Sequence, residues 1–578
     1  MRCHPIVALD TQHFRVQNLL NSLASNISAE TIPGSRPYTP AKRSHTISVV
    51  VILFTCFFIV GCGNSHTHNI EGKQLTSENV LRRAIGGEPG SLDPGQAIDS
   101  YSYEVLRDLY EGLTTEAQDG SVRPGVASSW TISPSGKQYR FLLRDNAKWS
   151  NGSRVRAQDF VNAWRRVVDP ARASRAADVL RPILGATAII AGRLPPTSLG
   201  VSAPQVDLLV VDLEEPTPYF PELLTHSATF PIHSELAATS HIRTTSISNG
   251  AYTLLNWTPG DKIRIQRNNF YWDRNNVKIG LVEYYPISDE NSELSQYRAN
   301  QLDITQSVPA SAIVPMRHER PNELFIAPYL GTAFYSVNLM SRNGTSNINI
   351  RKSLAMAIDR KLISSKILPF GQSPAFGFVP TGTWNYTSQT WPWKDLPDKD
   401  RIIEAQKLYK QAGYSAQNPL RLKILLNSNI SIKQVAIAIA SNWQENLGVK
   451  SELIEEEYKV FLNSINDSSR SDIARIGWAA DYNDATNFLD IFRSDSPNNH
   501  AHYLNPNFDL LLGKASSTAT PSVRRAFLEE AEKTVLADYP VIPLYFYCSR
   551  RLVKPYVKGV KLNPMNTLYS KNLIIDIH

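Results

Sequence analysis

Helix-like and strand-like segments follow one another in regular succession over residues 431–482, and this succession constrains the fold most strongly. "SIKQVAIAIASNWQENLG" places Val435, Ile439 and Trp443 at helical spacing and ends at Gly448. "VKSELIEEEYKVFLNSI" then has the pattern of a strand followed by a helix, and "SDIARIGWAADY" returns as an apolar strand. A helix that leads back to a strand predicts a parallel, right-handed crossover, so we expect an α/β sheet here.

The same α/β texture occurs elsewhere in the chain. "KQYRFLLR" alternates at period two and predicts a strand. "SRVRAQDFVNAWRRVV" predicts a helix whose apolar face contains Val155, Phe160, Val161 and Trp164. "INIRKSLAMAIDRKLISSKIL" places Leu354, Ile358 and Leu362 on one helical face before Pro369 ends the pattern.

The length and charge of the chain limit the class of protein. At 578 residues with 42% hydrophobic residues, the chain is too long for one core and predicts a multidomain globular protein. The net charge of +7 comes from 60 basic and 53 acidic residues that are scattered along the chain. Without a basic stripe, nucleic-acid binding has little support.

An apolar segment near the N-terminus predicts export. "TISVVVILFTCFFIVGC" follows Lys42 and Arg43, and it has the length of a signal-peptide core and ends at Cys62. Its last residues resemble the lipobox of bacterial lipoproteins, which implies that residues 1–61 are removed and Cys62 is lipidated. A plain transmembrane anchor or an uncleaved signal is the alternative. Because a long Ser/Pro-bearing stretch precedes Lys42, we expect translation to start downstream of Met1.

The polar residues 62–75 have the composition of a tether between a membrane and a folded domain. Removal of the signal would leave only Cys62 and Cys548 of the four cysteines. With Cys62 acylated, Cys548 has no partner within the chain. We therefore expect an exported protein without disulfides, stabilised by its core alone.

Motifs for catalysis and metal binding are missing from the sequence. There is no G-x-S-x-G, H-E-x-x-H, G-x-x-x-x-G-K-[ST] or G-x-G-x-x-G motif after a predicted strand. The pair His66 and His68 lies in the tether, and the pair His500 and His502 has no evident third ligand, so neither predicts a metal site. We expect a binding protein, not an enzyme, and no cofactor or metal.

One charged residue in an apolar strand needs an explanation. In "ARIGWAADYNDATNFLDIF", Asp481 follows a strand-like run, and a buried carboxylate is costly without a partner. Ligands of parallel sheets bind beyond the carboxyl ends of strands, where Asp481 is expected to lie. Asp481 is therefore either a ligand-binding group or the N-cap of a helix that begins near Ala485.

Several stretches in the same order resemble the oligopeptide- and dipeptide-binding lipoproteins of ABC importers, solute-binding protein family 5. The most specific is "PGVASSWTISPSGKQYRFLLRDNAKWSNGSRVRAQDFVNAWRRVVDP" at 124–170. Supporting stretches include "SLDP", "RDLYEGL", "NGAYTLLNW", "RNNFYWD", "IRKSLAMAIDR" and "RLVKPYVKG". The similarity runs from about Leu81 to the C-terminus, and "GWAADYNDATNFL" is most similar to the oligopeptide branch.

The resemblance implies a two-lobed, class II periplasmic-binding-protein fold of the α/β class with an additional third α/β domain. It implies a discontinuous first lobe, a third domain inserted into it, and a second lobe that closes on the ligand. The expected boundaries are 76–112, 231–335 and 541–578 for lobe I, 113–230 for the third domain and 336–540 for lobe II.

The resemblance also implies a set of peptide-binding residues. Gly477, Trp478 and Ala479 match the family segment that pairs with the peptide backbone as an added strand. Asp481 matches the carboxylate that holds the α-ammonium group, and Arg475 matches an arginine that reaches the carboxylate of short peptides. Ser100, Tyr101 and Ser102 are expected where a strand of the first lobe contributes. An internal ion pair is the alternative for Arg475.

The chain departs from the family pattern at the far end of the predicted cleft. The basic pair expected upstream is replaced by Asn466 and Asp467, with Arg470 as the nearest cation, and Ala479 replaces a common cysteine. A tyrosine expected near Ala176 is also absent. These departures leave the length preference for the peptide open.

The resemblance implies an exported, lipid-anchored, monomeric protein on the periplasmic or extracytoplasmic face of a membrane. It would capture oligopeptides and deliver them to the transmembrane subunits of an ABC permease. A murein peptide, haem or a metal chelate is the alternative ligand on the same scaffold. A surface hydrolase or adhesin on an inherited scaffold is the alternative from another functional class.

Overall fold

The computed structural model describes residues 79–237 and 247–576. The predicted export segment, the tether at 62–75 and the lipidation site Cys62 lie outside the described residues. Over the two described ranges, no helix combines the length and the apolar character needed to cross a membrane.

A four-stranded sheet near the start of the described chain joins segments that are far apart in the sequence. In spatial order its strands are Val80–Ala84, Leu281–Tyr285, Lys262–Arg267 and Tyr252–Thr258. The first two strands are parallel, and the other neighbours are antiparallel. The chain therefore leaves this sheet after its first strand and returns to it much later.

A second four-stranded sheet, entirely antiparallel, lies in the intervening segment. Its strands, in spatial order, are Ala127–Ile132, Gln138–Leu143, Leu208–Asp212 and Val201–Gln205. Tyr139, Phe141 and Leu143 are buried at alternate positions, which confirms the predicted strand. The predicted helix is Ala157–Val168, which buries Phe160, Val161 and Trp164, whereas Val155 lies before its first residue.

A six-stranded mixed sheet forms the centre of the second half of the chain. Its strands, in spatial order, are Ser373–Pro374, Val541–Leu552, Leu324–Val337, Ile473–Ala479, Arg421–Asn427 and Lys450–Glu456. The strand Arg421–Asn427 is parallel to both of its neighbours. The helices Ile430–Leu447 and Tyr458–Ser464 connect these parallel strands, as the succession of patterns predicts.

The predicted continuous helix around Leu354 is interrupted. The helix Ile348–Met356 ends at Ala357, and a new short helix, Arg360–Leu362, begins after Asp359. The Asp359 carboxylate accepts a hydrogen bond from the Leu362 N–H (2.8 Å). A side-chain cap therefore starts a new element inside an uninterrupted apolar periodicity.

The remaining elements complete the architecture. Two short antiparallel ladders pair Thr114–Glu116 with Val122–Pro124 and Val557–Lys558 with Ile574–Ile575. The other α-helices are Ser100–Leu109, Ala186–Ile190, Phe220–Leu223, Ser234–Ala237, Glu290–Arg298, Ile313–Glu319, Asp398–Gln411, Thr486–Leu489, Pro506–Ser516 and Pro521–Asp538.

Two hydrophobic clusters divide the described residues. The first cluster combines the two four-stranded sheets, and the second surrounds the six-stranded sheet. The long antiparallel strands Leu324–Val337 and Val541–Leu552 lie mainly in the second cluster. At their shared end, Phe325 and Val553, the residue after the second strand, pack with the first cluster. Leu294 and Ile313, which fall within predicted lobe I, belong to the second cluster. The predicted domain boundaries remain a prediction.

Candidate functional site

The polar segment that contains Asp481 is held in place by side-chain hydrogen bonds. The Trp478 Nε1–H donates to Asn487 Oδ1 (2.9 Å), and the Asp481 N–H donates to the same oxygen (3.4 Å). Asp484 Oδ1 accepts from the N–H and the hydroxyl of Thr486 (2.9 and 2.6 Å). Asp484, not Asp481, therefore makes the side-chain contacts at the start of the following helix, and the N-cap alternative for Asp481 is wrong.

The Asp481 carboxylate faces the helix Ser100–Leu109. The side chain is exposed to solvent, but protein lies close enough around it that partial desolvation raises the pKa of Asp481; Asn487 and the positive charge of Arg107 oppose the shift. Desolvation, together with the negative charge of Asp481, raises the pKa of Tyr103 on this helix. Among the described residues, no basic group lies within 4.0 Å of the carboxylate. Asp481 is thus an exposed acid without a basic partner among the described residues.

The strand that leads to Asp481 has one unpaired edge. On one side, Ile473–Ala479 pairs along its whole length with Leu324–Val337. On the other side, it pairs with Arg421–Asn427 only at its first two residues. The last part of the strand therefore offers a free edge to an extended chain.

The ladder alternation identifies the groups on this edge. The Ala480 N–H donates to Leu330 O (2.9 Å), on the paired side. Because successive residues of an antiparallel strand point to opposite sides, the N–H and C=O groups of Gly477 and Ala479 point to the free side. Over the part of the chain that the structure describes, these groups have no backbone partner on that side. They have the spacing that pairing with an added strand requires.

Tyr547 covers two glycines of the central sheet. A Cβ atom added at Gly477 would overlap the Tyr547 hydroxyl group, and one added at Gly331 would overlap its ring. The Arg475 Nη2–H donates to the hydroxyl groups of Tyr545 (3.1 Å) and Tyr547 (3.3 Å). Both strand positions therefore require glycine while Arg475 holds Tyr547 in this orientation.

The side-chain partners of Arg475 are tyrosine hydroxyl groups, whereas the alternative of an internal ion pair would require a carboxylate. Within the described ranges, no Asp or Glu lies within 4.0 Å of its guanidinium group. Desolvation opposes the charged form, but the hydroxyl groups of Tyr545 and Tyr547 outweigh this effect and raise the pKa of Arg475. A half-buried cation without a carboxylate partner is suited to an anionic group of a ligand.

The predicted strand at Ser100, Tyr101 and Ser102 is wrong, because these residues form the first turn of the helix Ser100–Leu109. Asp99 Oδ1 accepts from the Ser102 N–H (2.8 Å) and Asp99 Oδ2 from its hydroxyl (2.7 Å), and the Ser102 oxygen accepts from the Ser91 N–H (3.2 Å). Ser102 is buried, and these bonds occupy its side chain. The Tyr101 ring packs over Gly87, and Ser100 is exposed. A role of these residues in ligand binding remains a prediction.

The expected cations are also absent from the structure around Asn466. The side chain of Asn466 bonds to His500 Nδ1 (2.7 Å), and Asp467 Oδ1 accepts from the Ser469 hydroxyl (2.6 Å). Arg470 pairs with Glu456 (2.5 Å). None of the three positions offers an unpaired positive charge to a ligand.

The histidine pair at 500–502 is not part of a metal site in the described structure. Desolvation, together with the neighbouring His502, lowers the pKa of His500 to about 4. Over residues 79–237 and 247–576, no three His, Cys, Asp or Glu side chains come together as metal ligands do.

Four side chains of the cleft were absent from the predicted site. Tyr103 and Arg107 face Asp481 from the opposite helix, and Tyr545 and Tyr547 hold Arg475. The sequence offers only the spacing within each pair as a signal. Tyr103 and Arg107 are four residues apart and share one face of a helix, and Tyr545 and Tyr547 are two apart and share one face of a strand. Only the tertiary structure brings both pairs next to the strand that ends at Ala479.

The sequence relatives are binding proteins. Residues 121–500 match the model of bacterial extracellular solute-binding proteins, family 5 middle region. The chain is 35% identical over 543 residues to the periplasmic murein peptide-binding protein MppA of Escherichia coli, covering 92% of this chain and 100% of that protein. It is 37% identical over 515 residues to the periplasmic oligopeptide-binding protein OppA of Salmonella typhimurium, covering 88% and 94%.

Solved structures are similar over nearly the same range. The murein tripeptide-binding protein MppA of Escherichia coli has a TM-score of 0.77 at 35% identity, covering 87% of this chain and 99% of that chain. Haemophilus influenzae OppA in complex with RPPGFSPFR has a TM-score of 0.75 at 36% identity, covering 87% and 100%. The predicted two-lobed α/β fold with a third domain is thereby confirmed. This chain belongs to the bacterial extracellular solute-binding proteins of family 5.

Proposed function

We propose that the protein captures oligopeptides in extended form and holds them by the backbone and the free amino terminus. The single observation that carries the proposal is the free edge at Gly477 and Ala479, which ends beside the unpaired carboxylate of Asp481. Peptides of different sequence share only their backbone and termini. A strand edge next to an acidic group recognises these shared features.

The two charged side chains of the site would set the direction in which the peptide lies, with its amino terminus at Asp481. An α-ammonium group would give Asp481 the partner that it lacks, and the crowded cleft strengthens such a charge-assisted bond. Arg475 would accept a carboxylate of a short peptide or an acidic side chain. The peptide would run along the strand between these two charges.

Calorimetric titration of the purified protein with matched peptides tests the proposal. We expect free peptides to bind and their N-acetylated forms to bind at least tenfold more weakly. Asp481→Asn should cost about 2–5 kcal/mol of binding free energy, because it removes one partner of an enclosed charge pair. The control Asp119→Asn changes an exposed carboxylate outside the proposed site that accepts from the N–H and hydroxyl of Ser121. Equal affinity for free and acetylated peptides in wild type would overturn the role of Asp481.

Murein peptide is a second candidate ligand, favoured by the similarity to MppA and by the unpaired Arg475. Haem or a metal chelate remains a further alternative, although no three described side chains form a metal site. Deoxycholate belongs in the same test, since a probable deoxycholate-binding periplasmic protein of Escherichia coli is 35% identical over 512 residues. Native mass spectrometry of the protein as purified separates these ligands by mass.

We further propose that the protein is exported, lipid-anchored at Cys62, monomeric and able to deliver its ligand to an ABC permease. The sequence around Cys62 and the periplasmic names of the relatives support export. Mass spectrometry should find an acylated N-terminal peptide that begins at Cys62. Cys62→Ser should release the protein from the membrane fraction, and light scattering should give the mass of one chain.

The proposed lobe boundaries are 76–112, 231–335 and 541–578 for lobe I, 113–230 for the third domain and 336–540 for lobe II. Two long strands of the second cluster reach the first cluster only at Phe325 and Val553, and this narrow connection supports a hinge at these chain crossings. Hydrogen exchange with and without peptide should show protection on both sides of the cleft and little change within each cluster.

A further inference from the structure

A contact between the proposed third domain and the proposed second lobe lies next to Asp481 in the sequence. The ring of Tyr219 stacks on the ring of Tyr482, with 5.2 Å between the centroids and 6° between the planes. Tyr482 also packs against the hydrophobic cluster that contains the two four-stranded sheets. This stack therefore connects two separate parts of the molecule beside the proposed ammonium site.

Arg524 completes this contact from the helix Pro521–Asp538. Its guanidinium carbon lies 4.8 Å from the centroid of the Tyr219 ring, within the range of a cation–π interaction. Its Nη1 and Nη2 groups donate to Asp484 Oδ2 (2.7 Å) and Oδ1 (2.8 Å). Arg524 and Asp484 are 2% and 1% exposed, so this bidentate pair fixes the guanidinium plane under Tyr219.

The segment 481–484 is thus fixed at both ends. Asn487 binds the Asp481 end, and Arg524 binds the Asp484 end. Tyr482 lies between them and is the part of the segment that contacts Tyr219. A movement of the third domain away from Tyr482 would therefore act on the same short segment that carries Asp481.

A second contact places the third domain against the same helix terminus. A Cβ atom added at Gly136, in the turn between two strands of the third domain, would lie 3.2 Å from Ala519 Cβ. Ala519 precedes the helix that carries Arg524. The third domain therefore meets the second lobe at two neighbouring points.

We propose that Tyr219, Tyr482, Asp484 and Arg524 form a clasp through which the third domain keeps the cleft closed and controls the rate of ligand release. Tyr219 is the positioning residue of this clasp, because it is the member supplied by the third domain. The inference rests on the proposed peptide binding for its ligand. Asp484 and Arg524 pair within one lobe, so their loss would also disturb that lobe; Tyr219 is the informative position.

Stopped-flow release of a fluorescent peptide tests the clasp in the purified protein. Tyr219→Ala removes the stack and the cation–π contact, and we expect its dissociation rate to rise about tenfold with little change in the association rate. Tyr219→Phe keeps the ring and should stay within about twofold of wild type. The control Tyr414→Ala removes a tyrosine pair formed with Tyr409 within the second lobe, and should leave release unchanged. A wild-type dissociation rate in Tyr219→Ala would overturn the proposal.

Distance measurements separate a failure of the clasp from a failure of peptide binding. Spin labels at Ser135→Cys and Asn498→Cys report the separation of two exposed sites, one on each side of the clasp. We expect wild type to populate the separation found in this structure, in which the stack is formed and which the proposal takes as closed, and Tyr219→Ala to shift the distribution to longer distances. This readout needs no added peptide. A wild-type distribution without the closed component, or one that Tyr219→Ala leaves unchanged, would overturn the clasp even if peptides bind.

Discussion

Gly477 has no side chain at the position where the Tyr547 hydroxyl approaches the strand backbone. Gly477→Ala is therefore expected to displace Tyr547, weaken its bond to Arg475 and lower peptide affinity at least tenfold. Because the obstructing atom is the end of a side chain, the double variant Gly477→Ala, Tyr547→Phe should recover part of the affinity. Calorimetry of wild type and the two variants with one peptide measures both effects.

The helix Pro506–Ser516 supplies a matched control for this substitution. A Cβ atom added at Gly513 would meet open space. Gly513→Ala should leave peptide affinity unchanged and stabilise the protein by about 0.5–1 kcal/mol, because alanine favours helix. Unchanged affinity in Gly477→Ala as well would show that the Tyr547 contact has no part in binding.

The charge pair proposed for Asp481 predicts a bell-shaped pH dependence of peptide affinity. Desolvation raises the pKa of Asp481 in the empty cleft, so at low pH a proton must leave the carboxyl group before the ammonium group binds. Affinity should therefore rise as the pH increases through this raised pKa. It should fall again above about pH 8, where the peptide α-amino group loses its proton.

Titrations in buffers of different ionisation enthalpy measure the protons exchanged on binding. Release of protons is expected on the acidic side of the optimum, and uptake on the alkaline side. In Asp481→Asn the acidic limb should disappear while the alkaline limb remains. An acidic limb that survives this substitution would assign the titration to another group.

At the scale of elements, the helix Ser100–Leu109 links fold stability to the site. Asp99 caps this helix through Ser102, and Tyr103 and Arg107 on the same helix face Asp481. Asp99→Ala should lower the free energy of unfolding by about 1 kcal/mol. It should also weaken peptide binding, since the first turn of the helix loosens next to the cleft. Urea denaturation and calorimetry measure the two effects.

The helix Glu290–Arg298 has the same capping arrangement away from the Asp481 segment. Asp289 Oδ1 accepts from the N–H (2.7 Å) and the hydroxyl (2.8 Å) of Ser292. Asp289→Ala should cost a similar free energy of unfolding and leave peptide affinity unchanged. Equal losses of affinity in both variants would mean that destabilisation alone, not the position of the helix, weakens binding.

Elements with local signals could be predicted from the sequence, and those that depend on caps or on distant partners could not. The helix Ile430–Leu447 has regular apolar spacing and ends at Gly448, whose φ of +80° favours glycine. By contrast, the apolar periodicity around Leu354 continues past the point where the helix is interrupted. Only the cap at Asp359 marks this interruption. The strand predicted at Ser100 is wrong for the same reason: the helix Ser100–Leu109 begins at the side-chain cap Asp99, which the apolar pattern does not mark.

The candidate site shows the same limit. Asp481 was predictable because a carboxylate stands out in an apolar strand. Tyr547 and Arg107 could not be predicted as site residues. Tyr547 lies on the strand Val541–Leu552 and Arg107 on the helix Ser100–Leu109, which are distant from Asp481 in the sequence. Their spacing within their own elements is also typical of ordinary core or surface residues.

At the scale of the whole molecule, the two hydrophobic clusters and the cleft between them make ligand binding a source of stability. The strands Leu324–Val337 and Val541–Leu552 lie in one cluster and reach the other near Phe325 and Val553. A ligand that contacts both sides favours the closed arrangement. A ligand that binds only the folded protein stabilises it by about 2.7 kcal/mol at a concentration of 100 Kd. The melting temperature therefore reports closure as well as occupancy.

Asp481→Asn should separate these contributions in a thermal scan. The folded-state pKa of Asp481 is raised above its unfolded value, so its contribution to stability is full below the unfolded pKa and is lost as the pH rises through the folded pKa. At neutral pH the ionised carboxylate therefore costs some stability in the ligand-free protein, and Asp481→Asn should raise its Tm slightly, because solvent screens this exposed side chain. Saturating peptide should raise the wild-type Tm by several degrees and the variant Tm much less. A ligand-free Tm that falls in Asp481→Asn would mean that the carboxylate supports the fold and does not await a ligand.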